Sequence, residues 1–251
     1  NDYPTVIQIN PDGSFHCKFF IKHPVCQFAT IGNSWIPFYI EPGETLTMCI
    51  HWEDILAQRR ARDSNFPLKN TAYMGKCASL SYLANNLKKL ITYNYNDLSK
   101  SQKTLTPNQF KEHFRPFTIQ WKQIGDSLEH IYGVSEKATS LIRNTISQEI
   151  GETMLNFLMS RPYYARQDST NKVLKVQEDN SYYDFLKEIP ANDKTMLVGP
   201  NVNIFINRFE YMNPLTKAYQ LIRMQNINNI STQTEIDKYT ANLNKSMRFC
   251  K

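Results

Sequence analysis

No two of the five cysteines, Cys17, Cys26, Cys49, Cys77 and Cys250, stand close enough to form a Cys-x-x-Cys pair. That spacing excludes a dithiol redox centre and a zinc ribbon within this chain. An odd number also leaves one thiol over in any all-disulfide scheme, so cysteine count does not fix a compartment. Glycine is scarce, with 8 in 251 residues and none of them clustered. Backbone N–H groups cannot then be gathered into a phosphate-cradling loop, which argues against a nucleotide enzyme. His-Glu-x-x-His and Gly-x-Ser-x-Gly are absent, removing the commonest zinc-hydrolase and serine-nucleophile signatures. No run approaches the roughly 18 uninterrupted apolar residues of a membrane span. The formal charge is +6, but Lys and Arg are scattered, with nothing denser than Arg59-Arg60-x-Arg62 and Lys88-Lys89. A nucleic-acid groove needs a clustered basic footprint beside stacking aromatics, so nucleic acid is not an expected partner.

What is present describes a folded globular chain, 41% hydrophobic and 21% charged. Its front reads as β. Phe15, Cys17, Phe19 and Ile21 alternate with Ser14, His16, Lys18 and Phe20, after the turn Pro11-Asp12-Gly13 and a partner run at residues 5–9. Further strands are expected over 25–31, over 35–40 with Pro37 marking an edge or bulge, and over 45–52. The turn Glu41-Pro42-Gly43-Glu44 separates the last two.

After Trp52 the apolar period becomes helical. Tyr73, Cys77, Leu80, Ala84, Leu87 and Ile91 share one face of a helix expected near 71–93. Phe110, Phe114, Phe117, Trp121, Ile124, Leu128 and Ile131 define a second. Thr106 and Gln109 form its capping box, Pro107 its first turn, Pro116 a bend and Gly133 its end. Ser135 is placed to cap a third, which Arg161-Pro162 stops. Shorter helices are expected over 182–189, from 202 to 209, from Pro214 to Ile222, and from Ser231 to Leu243. The expected class is α+β: a small antiparallel β-sandwich over residues 1–54, then a mostly α-helical domain over 55–251.

Candidate chemistry is thin. His16 and His51 fall on the sheet face opposite the apolar residues, where exposed histidines are ordinary surface. Glu53-Asp54 at a helix start complement the macrodipole more simply than they serve acid–base work. Cys77 on an apolar stripe reads as a small buried hydrophobe, and Cys17 points inward. Cys49 faces outward and Cys26 fits neither side, so either is open to a disulfide. No catalytic residue, metal ligand or cofactor site is assigned. Aromatics at 12% are the remaining lead. Trp35, Trp52, Tyr73, Tyr163 and Tyr164 could form a sugar-stacking platform, since flat apolar rings suit pyranose faces. Packed aromatics are common in cores, however, which favours placing Trp35 and Trp52 inside and Tyr163-Tyr164 beyond a helix end.

The run Ile36-Pro37-Phe38-Tyr39-Ile40-Glu41-Pro42-Gly43-Glu44-Thr45-Leu46 resembles the N-terminal β-domain of TlpA-like thioredoxin-family proteins of Gram-negative envelopes. Asn70-Thr71-x-Tyr73-Met74-Gly75 and Phe205 to Met212 resemble the helical region of the same group. The resemblance implies an accessory region that precedes a thioredoxin domain with a Trp-Cys-x-x-Cys site. No catalytic residue carries over, since that motif is missing here. The expectation is a fragment of a longer oxidoreductase, or a relative that lost the domain, in the periplasm or cell envelope. Its expected partners are the parent chain's thioredoxin domain or a client protein. Peripheral or lipid-anchored membrane association through residues preceding Asn1 is compatible with this. A freestanding glycan- or ligand-binding module of the envelope is the alternative.

Overall fold

The computed structural model describes residues 5–62, 68–132, 135–190, 192–199 and 201–224. Strands β1 (Val25–Ile31) and β2 (Ser34–Ile40) pair antiparallel through the turn Gly32-Asn33, where Gly32 takes φ 60°. Their register sets Cys26 opposite Tyr39, Phe28 opposite Pro37 and Thr30 opposite Trp35. Two faces result, because strand side chains alternate. On one, Ile36 is fully buried and clusters with Ile55 and Leu68. On the other, Cys26 and Tyr39 sink into the main core.

The strand β3 (Thr47–Cys49) leads through the helix α1 (Trp52–Ala61) to its partner β4 (Ala72–Met74). Eight α-helices are described in all. After α1 come α2 (Ala78–Ile91), α3 (Tyr95–Thr104), α4 (Pro107–Tyr132), α5 (Glu136–Met159), α6 (Arg161–Gln167), α7 (Val202–Glu210) and α8 (Asn213–Met224). Three 3-10 helices, Lys172–Lys175, Asn180–Glu188 and Lys194–Val198, lie between α6 and α7. The axis of the assembly is α5. It is buried nearly all round, packing against α2, α3, α4 and α7 with Ile142, Ile146, Met154, Leu155 and Phe157. An aromatic stack of Phe110 on Phe157, 4.0 Å between centroids, joins α4 to it.

Antiparallel strands in front and helices behind give the α+β class expected. The strands do not stack sheet on sheet, however. They form two two-stranded sheets, and β2 lies against α2, which covers it as a second sheet would have done. The runs 5–9 and 14–21 share only the bridge from Ile9 to Phe15. Phe20 breaks the alternation by placing an aromatic on the otherwise polar face. Phe19 and Phe20 are left 44% and 84% exposed.

Helix α2 starts at Ala78 rather than near 71 because residues 72–74 pair with β3 first. Gly75 makes the turn at φ 105°, where a Cβ would lie 2.6 Å from the Thr45 carbonyl oxygen. The capping box of α4 forms as expected. The Gln109 N–H donates to Thr106 Oγ1 at 3.3 Å, and the Thr106 N–H donates to Gln109 Oε1 at 2.9 Å. Ser135 occupies the N-cap of α5 without a side-chain bond. The helix expected over 182–189 is the second 3-10 helix. Gly133, Cys250 and the helix expected from Ser231 to Leu243 lie outside the described residues.

Candidate functional site

The hairpin face that carries Cys26 and Tyr39 at its covered end emerges into solvent toward the turn. There Phe28 and Trp35, diagonal neighbours across the pair, stack with centroids 4.5 Å apart and planes 1° from parallel. They are 44% and 42% exposed, so each keeps a ring face or edge in water. Cross-strand aromatics stabilise the hairpin they stand on, and an exposed pair is also a ready contact for something else. Trp35 is therefore a surface residue and not the core residue that composition favoured. Phe28 was not singled out from sequence. The signal for it was there: a two-residue turn fixes the register, and that register sets Phe28 diagonal to Trp35.

The rest of the hairpin is held firmly beneath this pair. Ser81 Oγ accepts from the Tyr39 N–H at 3.0 Å and lies 3.0 Å from the Tyr39 carbonyl. The Tyr73 hydroxyl donates to the Pro37 carbonyl at 2.6 Å, and the Tyr73 ring meets Tyr82 edge-on at 5.0 Å. Tyr73 is buried, so it supports the site from behind and offers no ring to a ligand.

At the far end of β2, Glu41 accepts from the Tyr39 hydroxyl at 2.9 Å and from Lys137 of α5 at 2.7 and 2.8 Å. The Lys137 ammonium above all holds the Glu41 carboxyl below the usual range. Gly43 turns at φ 78°, and Glu44 pairs with Lys76 at 2.9 Å. Of the two carboxylates of the Glu-Pro-Gly-Glu turn, Glu41 thus ties the hairpin to α5, and Glu44 ties the turn to the residues between β4 and α2.

The other candidate aromatics stand elsewhere. Trp52, 54% exposed, opens α1. Tyr163 and Tyr164 lie on α6 with centroids 5.5 Å apart. One face of Tyr164 is taken by Lys103, whose Nζ is 4.7 Å from the ring centre, while Tyr163 is 54% exposed. The tyrosines of α6 and the aromatic pair of the hairpin are two separate surfaces, not one platform.

Four cysteines are described, and no disulfide joins any two of them. Cys26 and Cys77 are buried, Cys17 is half-buried and Cys49 is exposed. Burial pushes the Cys77 thiol up, the opposite of what a nucleophile needs at neutral pH. Among the described residues no group of three or more His, Cys, Asp or Glu could hold a metal ion. No described helix is long and apolar enough to cross a membrane.

Two clefts open on the helical side. The first, of about 420 Å³, has Ile142, Ile146, Ile150 and Phe185 in its lining. Ion pairs Lys122–Glu188 at 2.5 Å and Arg143–Glu129 at 2.7 Å sit among its charged residues. The second, of about 340 Å³, is lined in part by Arg161, Arg208 and Met212.

No family model, curated protein or solved structure matches this chain.

Proposed function

We propose that the chain is a non-catalytic accessory region of an envelope TlpA-like thiol–disulfide oxidoreductase, which positions the thioredoxin domain or recognises a client protein. The observation that carries the recognition role is the exposed Phe28–Trp35 stack on a hairpin anchored from behind by Ser81 and Tyr73. Exposed tryptophan on a rigid support is the composition of a protein-contact hot spot. The motif behind the family resemblance, Glu41-Pro42-Gly43-Glu44, serves as the strand–helix joint here, a role suited to a spacer that must keep its shape. The test is the reading frame of the source gene beyond Lys251. A thioredoxin pattern with Trp-Cys-x-x-Cys there supports the accessory role, and a stop codon removes the redox assignment.

Glycan binding is the second reading, and the outward rings of Trp35 and Tyr163 favour it. Titration with soluble oligosaccharides, followed by tryptophan fluorescence, separates the two. Saturable quenching lost in Trp35→Ala supports the glycan reading, and no response to any sugar rejects it.

A further inference from the structure

Near the turn, at Phe28 and Thr30, the outer backbone of β1 meets no partner among the described residues. In β2 the Tyr39 N–H and the Pro37 carbonyl are bonded away from β1, by Ser81 and Tyr73. Antiparallel ladders alternate, so Ile36, Phe38 and Ile40 face β1 and pair with Ala29, Gln27 and Val25. Phe28 and Thr30, opposite Pro37 and Trp35, must therefore point their N–H and C=O groups away from β2. Pro37, which has no N–H, fits that alternation. No main-chain hydrogen bond of Phe28 or Thr30 to a described residue outside the strands is present.

Natural edges are protected by charge, proline, a bulge or a cover. The outer edge of β2 has Pro37, Ser81 and Tyr73. The edge of β1 holds no charged residue and no proline in its sequence, Val-Cys-Gln-Phe-Ala-Thr-Ile, and among the described residues no further strand pairs with it. The groups it presents are main-chain donors and acceptors at strand spacing, and what complements them is another extended strand.

We infer that this edge pairs with the same edge of a second copy, forming a two-fold dimer with a continuous sheet β2–β1–β1–β2. With the axis at Ala29, Phe28 of one copy lies opposite Thr30 of the other, and the two residues exchange N–H···O bonds in both directions. The edge is self-complementary, which a two-fold interface requires. No charge within β1 opposes the approach. The pairing also brings both Phe28–Trp35 stacks onto one face, where each Phe28 gains the other as a diagonal neighbour. A single strand edge falls below the roughly 1,200 Å² of a standard interface, so the dimer is weak and concentration-dependent. This inference stands apart from the redox assignment and does not need it.

Sedimentation equilibrium of the chain over a wide concentration range, with hydrogen exchange at the Phe28 and Thr30 amides, tests it. The expected result is a monomer–dimer equilibrium in which both amides gain protection as dimer forms. Thr30→Pro, which removes one outward donor, and Thr30→Lys, which sets like charges across the axis, each weaken association by roughly tenfold or more. Both variants keep the helical circular dichroism of the parent, since Thr30 bonds outward. Protection of both amides at all concentrations in a monomer would mean that residues 14–21 close the edge within one chain, overturning the dimer. A monomer with open amides would leave the edge to a different protein and overturn it equally. So would a dimer indifferent to both substitutions.

Discussion

Arg161 is only 5% exposed, and its guanidinium is met by main-chain oxygens. Its Nη1 donates to the carbonyls of Gln102 and Leu105 at 3.3 and 2.6 Å, and its Nη2 to those of Val173 and Val176 at 2.7 and 3.3 Å. It also lies over the Phe157 ring, 5.1 Å from the centroid. Burial lowers its pKa, yet arginine stays charged at any working pH. One flat fork thereby ties the end of α3 to the 3-10 helix at 172–175. Lysine has a point charge and cannot span these acceptors, so Arg161→Lys is expected to cost about 3 kcal/mol in urea unfolding. An unchanged midpoint would show that water replaces the guanidinium at no cost. Glu41 is a second test at this scale. Its folded pKa lies below the unfolded value, so the stabilisation is full above the unfolded pKa and is lost as pH falls through the folded one. Glu41→Gln should cost about 1 kcal/mol at neutral pH, with the gap to the parent closing below about pH 4. A gap equally wide in acid would assign the loss to packing instead of charge.

Among the elements, the long apolar helices were readable because each repeats one face over many turns. The apolar stripe of α4 and its capping box fall where spacing put them from Phe110 to Leu128, while Ile131, expected on the same face, is 72% exposed at the helix end. Elements that depend on distant partners were not readable. Residues 72–74 pair with β3 against a local helical period, and α3 has little apolar periodicity beyond Leu98. Residues 14–21 show the opposite failure, a strand pattern with no strand beside it among the described residues. Helix–helix contacts carry a similar lesson in two glycines. A Cβ on Gly151 of α5 would lie 2.5 Å from Phe205 Cε2 and 3.2 Å from Ile189 Cδ1, inside packed core. A Cβ on Gly125 of α4 would lie 2.7 Å from Ile146 Cδ1, the free end of a flexible chain beside a cleft. Alanine gains roughly 1 kcal/mol of helix propensity at either position. Gly125→Ala is therefore expected near neutral. Gly151→Ala should lose about 2 kcal/mol as α7 is pushed outward. Equal thermal midpoints for the two variants would remove close approach as the reason for Gly151.

At the scale of the molecule, the strands and helices share one core. Cys26 and Tyr39 of the hairpin sit in the same buried cluster as Leu83 and Leu87 of α2, Phe114 of α4 and Ile142 of α5. The Glu41–Lys137 pair links the two regions again at the surface. Composition could not show this, because a change of period at Trp52 marks where elements change and is silent on whether their cores merge. The candidate surface was only half legible for a related reason. Trp35 was visible as a large aromatic, but its exposure depends on how far α2 reaches along the hairpin, which no local pattern records. Tyr39→Ala puts the shared core to a direct test. Removing a buried aromatic costs about 3–5 kcal/mol, and here it also strips the hydroxyl bond to Glu41. With one core, the helical circular dichroism and the fluorescence of Trp121, buried in α4, lose stability together and by the same amount. If the strands fold as a separate unit, the helical transition stays in place while only the signal from exposed Trp35 and Trp52 moves.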